Sequence, residues 1–72
     1  MKKKGSYTNR IHVFRAERKW SQDDLAKRVG VSRQTIASLE GNRYNPSLLL
    51  AFEIARVFDT TILEIFTYIP DE

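Results

Sequence analysis

Arg33, Gln34, Ala37 and Ser38 are the outward residues of a short segment whose inward residues are Ile36 and Leu39. Their types suit contact with nucleic-acid bases. A guanidinium donates to guanine O6 and N7, or to a phosphate, and a carboxamide pairs with adenine N6 and N7. Ala37 is small enough to let a helix enter a groove and touch a thymine methyl. Ser38 reaches either a base or a phosphate. Solvated helix faces more often mix Glu with Lys, whereas this face has no acid before Glu40.

A second set flanks the first. Gln22 falls in the first turn of the preceding helical pattern, where its amide and the helix N–H groups can meet a phosphate together. Ser32 stands at the start of the reading segment. Asn42, Arg43, Tyr44 and Asn45 follow it in a turn-rich stretch that can clamp the backbone beside a groove. Arg15 and Glu40 have a different expected role, an ion pair tying the reading segment to its scaffold. The expected ligand is therefore double-stranded DNA.

These side chains need elements to hold them. Ser21–Glu40 reads as two short helices and one tight turn, the helix-turn-helix geometry. Leu25, Ala26 and Val29 form the inner face of the first helix, and Gly30 supplies its sharp end. Val31 is expected inside the turn, with Ser32 capping the second helix. Upstream, Asn9 is expected to cap a helix running to about Arg18, with Ile11, Phe14 and Arg18 on one stripe. Downstream, Pro46-Ser47 restarts a helix whose inner face is Leu48, Ala51, Ile54, Ala55 and Phe58. Thr61 and Glu64 form a capping box for a last helix containing Ile62, Ile65 and Phe66. The expected fold is all-α, a compact five-helix bundle. It occupies residues 9–69, with 1–8 as a loose basic arm.

Composition fits this reading. A chain of 72 residues is one domain. It has no cysteine, so disulfides and thiolate metal sites are excluded. His12 is the only histidine, and the adjacent Asp23 and Asp24 are explained by a helix start. No catalytic motif or cofactor site is expected. Residues 1–43 hold eleven Lys or Arg against four acids, a net +7, while residues 44–72 hold one Arg against five acids, a net −4. The basic half contains the paired helices, so a polyanion is expected on one side. No signal-peptide core or spanning run is seen, so the expected location is the cytoplasm rather than a membrane.

The stretches R-A-E-R-K-W-S-Q-D-D-L-A, V-G-V-S-R-Q-T-I-A-S-L-E, Y-N-P-S-L and I-L-E-I-F together resemble the Cro/C1-type helix-turn-helix family, also called the XRE family of prokaryotic transcription regulators. The resemblance covers roughly Ile11 to Phe66. It implies a compact bundle of about five helices in which Gln22 touches phosphate. Arg33 and Gln34 would begin the recognition helix, Ala37 and Ser38 would extend its reading face, and Arg15 would pair with Glu40. Two positions depart from the family pattern. Lys19 stands where Gly is common, which predicts either a slightly different turn or backbone strain there. Glu40-Gly41-Asn42 replaces the usual E-N-G, which points to a turn centred on Asn42.

Leu49, Leu50, Phe52, Leu63, Tyr68 and Ile69 are more apolar than one small core needs. They are expected to form a homodimer seam through the fifth helix and nearby apolar residues, or to meet a protein partner. A dimer suits a palindromic operator, and repression by promoter occlusion is the family's commoner mode. The alternative is an antitoxin or protein adaptor on the same scaffold. RNA fits less well, because the deep A-form groove poorly admits such a helix.

Overall fold

Hydroxyl side chains mark four of the five helix starts. A computed structural model of the chain describes residues 5–70 and places α1 at Ile11–Arg18, α2 at Gln22–Val29, α3 at Arg33–Glu40, α4 at Leu48–Val57 and α5 at Ile62–Ile65. Ser21, Ser32, Ser47 and Thr61 each accept a hydrogen bond from a backbone N–H in the first turn of the following helix. Losing one such cap costs ~1 kcal/mol. Ser21 and Asp24 complete a reciprocal capping box. Thr61 makes the cap half of its expected box, accepting from the Glu64 N–H.

The fold is not all-α. Ser6–Asn9 forms a strand, β1, that pairs antiparallel with β2, Phe66–Ile69. Tyr7 faces Tyr68 and Thr8 faces Thr67 across the ladder. Aromatic and β-branched residues favour this pleated pairing. Tyr7 also meets Phe66 edge-to-face, with ring centroids 5.6 Å apart. At the ribbon's start, a Cβ on Gly5 would lie 2.7 Å from the Ile69 carbonyl oxygen, so the close approach excludes a side chain there.

The ribbon corrects two expectations and refines a third. Residues 6–8 form β1 rather than part of a loose arm, while Lys2, Lys3 and Lys4 lie outside the described residues. Asn9 ends β1 and Arg10 occupies the cap position of α1 without a side-chain cap bond, but Asn9 still serves the helix start as expected, its Oδ1 accepting from the Ile11 N–H at 3.0 Å. Phe66 begins β2 rather than ending the last helix.

Ile11, Leu25, Ile36, Leu39, Ile54, Phe58 and Ile65 form the sealed centre, and Ala26 and Ala55 close its gaps. Each large side chain buried here contributes roughly 1.5–3 kcal/mol. Leu48, expected on the inner face of α4, instead faces solvent at 69% exposure. It lies in the first turn of α4, one turn before Ala51. Arg18 does join the apolar stripe of α1. Its guanidinium donates to the Phe58 carbonyl at 2.6 Å and lies over the Phe58 ring. Among the described residues, no helix is long and apolar enough to cross a membrane.

Candidate nucleic-acid interface

The position of α3 follows from what lies beneath it. Gly30 ends α2 at φ 78°, a left-handed conformation that favours glycine. Two turn N–H groups, from Gly30 and Val31, donate to the Ala26 carbonyl at 2.8 and 3.0 Å. Val31, expected inside the turn, is partly buried. Ala26, 1% exposed, presents only a methyl to the crossing, and Ile36 and Leu39 bury the inner side of α3. Lys19 ends α1 at φ 58°, the strained position foreseen at the departure from Gly.

Polar contacts fix the far end of α3. Arg15 Nε donates to Glu40 Oε2 at 2.6 Å, and its Nη2 donates to Oε1 at 3.1 Å. Arg15 Nη1 holds the Trp20 carbonyl at 2.9 Å. This is the expected ion pair, with side chains 19% and 12% exposed. Burial acts to raise the Glu40 pKa, but hydrogen bonds from Arg15 and Gln22 and the nearby positive groups outweigh it. The carboxyl therefore stays below its ordinary value. Sequence reading missed one partner: Gln22 Nε2 also donates to Glu40 Oε1, at 3.1 Å. The residue expected at phosphate thus braces α2 against the end of α3.

The four reading candidates share α3. Arg33 and Gln34 are exposed in its first turn, while Ala37 and Ser38 are partly covered one turn on. Ser32 Oγ accepts from the Thr35 N–H at 3.1 Å and lies 3.0 Å from the Thr35 hydroxyl. Its hydroxyl therefore serves the cap through Thr35, and the N–H groups of Arg33 and Gln34 are the ones at the start of α3 that can face an anion.

The clamp candidates form a turn after α3. Asn42 takes φ 59°, the turn centre expected from Glu40-Gly41-Asn42, and its N–H donates to the Leu39 carbonyl at 3.0 Å. The Arg43 N–H returns to the Ser38 carbonyl at 3.0 Å, leaving the Arg43 side chain exposed. Tyr44 is exposed at 44%, and Asn45 is exposed beside it.

Two residues of β1, both unforeseen here, hold this turn. Asn9 Nδ2 donates to the Leu39 carbonyl at 2.8 Å and to Asn42 Oδ1 at 2.7 Å. Tyr7 donates to the Tyr44 carbonyl and lies 3.4 Å from the Leu39 carbonyl. Burial pushes the Tyr7 hydroxyl above its ordinary pKa, so it remains a donor at neutral pH. The available signal was Asn9 itself: an amide before a helix whose Oδ1 accepts from the Ile11 N–H at 3.0 Å has two donors left over.

The helix-turn-helix family model matches residues 11–65. An uncharacterized HTH-type transcriptional regulator of Archaeoglobus fulgidus is 54% identical over 63 residues, covering 88% of this chain and 89% of its own length. Another, from Methanocaldococcus jannaschii, is 50% identical over 64 residues, covering 89% of this chain and 97% of its own. The fold is also similar to that of SinR, a master regulator for biofilm formation solved in complex with DNA. There the TM-score is 0.67 at 30% identity, covering 74% of this chain and 86% of that one. The chain belongs to the helix-turn-helix family of transcriptional regulators, as a small Cro/C1-type member.

Proposed function

We propose that this chain is a sequence-specific double-stranded DNA-binding regulator that represses transcription as a homodimer on a palindromic operator. The observation that carries this reading is the mounting of α3. Its outward donors, Arg33 and Gln34, project from a helix fixed at its far end to α1 and α2 by the Arg15–Glu40–Gln22 network. Such a helix enters a major groove with little reorganisation on binding. Arg33, Gln34, Ala37 and Ser38 read base edges. Gln22, the start of α3 at Ser32, and the Asn42–Asn45 turn grip phosphates.

Exposed apolar residues support dimerisation. Leu49 is 71% exposed on α4 and Leu63 is 85% exposed on α5. A two-fold dimer places two copies of α3 about one helical turn apart, ~34 Å. This reading places the protein in the cytoplasm, with DNA. Selection of bound duplexes from a random library tests it. Recovery of one palindrome with two half-sites is the expected result; no enrichment at moderate salt overturns it.

A further inference from the structure

We propose that Tyr7 and Asn9 are positioning residues for DNA binding, holding the Asn42–Tyr44 turn where its exposed side chains meet phosphate. The proposal rests on the DNA-binding reading and adds residues of β1 to it. A helix C-terminus leaves carbonyls without intrahelical partners, and these carry partial negative charge. At the end of α3, side chains from β1 meet that need. Asn9 Nδ2 donates to the Leu39 carbonyl, and Tyr7 lies beside the same oxygen while donating to the Tyr44 carbonyl. Asn9 is used at both ends of its amide. Its Oδ1 takes the Ile11 N–H at the start of α1, and its Nδ2 also takes Asn42 Oδ1.

β1 is held independently of the turn. It pairs with β2 along four residue pairs, and the Arg10 N–H donates to the Ile65 carbonyl at 2.9 Å. The ribbon is therefore a fixed support, and the turn is the part it restrains. Asn42 sits in a left-handed conformation, which asparagine tolerates after a helix end, and the turn's own backbone bonds leave its side chain free to be held from outside by Asn9. With the turn pinned through Asn42 Oδ1 and the Tyr44 carbonyl, the Arg43 side chain projects from a fixed backbone. No contact from Tyr7 or Asn9 to a base is required.

Tyr7→Phe isolates this role, because it keeps the ring against Phe66 and the strand pairing but removes the hydroxyl. Asn9→Ser is the second variant; its hydroxyl oxygen can still accept the Ile11 N–H, while the amide that donates to the Leu39 carbonyl and to Asn42 Oδ1 is gone. Binding would be measured to the duplex selected by the wild type and to an unrelated duplex of equal length, across a salt series. Both variants should bind both duplexes about five- to tenfold more weakly, with the ratio between duplexes unchanged. The log–log salt slope should flatten by about 0.9, the loss of one phosphate contact. Melting temperature should stay within a few degrees of wild type, and amide exchange at Asn42 and Arg43 should accelerate while that of Leu39 does not. A merely structural role would move melting temperature and leave the salt slope alone.

Unchanged exchange, or faster exchange with unchanged binding, overturns the proposal while leaving the DNA reading intact. A changed ratio between the duplexes also overturns it, since that would mean Tyr7 or Asn9 affects base reading. Wild-type protein that binds neither duplex overturns the DNA reading, and the proposal with it.

Discussion

Arg15 grips Glu40 with two donors, Nε on Oε2 at 2.6 Å and Nη2 on Oε1 at 3.1 Å, joining the last residue of α3 to α1. Removing one partner strands the other beside the core. A fully buried pair loses ~3–5 kcal/mol in this way. Both side chains here keep some water contact, so Glu40→Ala should cost about 2–3 kcal/mol. Chemical denaturation of wild type and variant measures it, and a loss under ~0.5 kcal/mol would mark the pair as an ordinary surface contact.

The same pair sets an acid dependence. Although burial opposes it, the folded-state pKa of Glu40 is lowered by Arg15, Gln22 and nearby positive charge. In acid the unfolded chain takes up this proton first, so stability rises with pH across the window. The contribution is full above the ordinary value of 4.5 and is lost as pH falls through the lower folded value. Melting curves from neutral pH into acid should therefore fall more steeply for wild type than for Glu40→Gln. Parallel curves would contradict this origin.

Lys19 ends α1 in a left-handed conformation at φ 58°. That conformation costs an L-residue roughly 1–2 kcal/mol, while glycine's greater unfolded-state freedom offsets ~0.5–1 kcal/mol of the relief. Lys19→Gly should raise stability by up to ~1 kcal/mol. Equilibrium denaturation checks the sign, and destabilisation would show that the Lys19 side chain contributes more than its backbone costs.

The helices were legible because their signals are local. Ser21, Ser32, Ser47 and Thr61 each act within one turn of chain, and the apolar spacing of Ile36 and Leu39 fixes which side of α3 is buried. The ribbon was not, because its strands stand at opposite ends of the sequence and each holds four residues. Phe66-Thr67-Tyr68-Ile69 does carry a strand signal in residue type, hidden by its continuity with Ile62–Ile65. The candidate site divides in the same way. The Arg15–Glu40 pair was foreseen, but the third partner, Gln22, became visible only with the crossing of α2 and α3.

The proposed dimerisation through the apolar face predicts a separable variant. Leu63 is 85% exposed, so Leu63→Asp should leave the melting behaviour of the monomer fold nearly unchanged while abolishing the dimer. Light scattering coupled to size exclusion reads the mass of both proteins. A wild-type monomer at high concentration would contradict the seam.

Under the proposed function, labour is divided between the outward face of α3, which would read bases, and the following turn, which would grip the backbone. The most direct measurement of this division is the affinity of Gln34→Ala and Arg43→Ala for the selected duplex and for all of its single-base variants, at several salt concentrations. Gln34→Ala should flatten discrimination at one base position by about 1–3 kcal/mol and leave the salt slope intact. Arg43→Ala should weaken all duplexes alike and reduce the slope by about 0.9. Equal loss of discrimination from both substitutions would contradict the account.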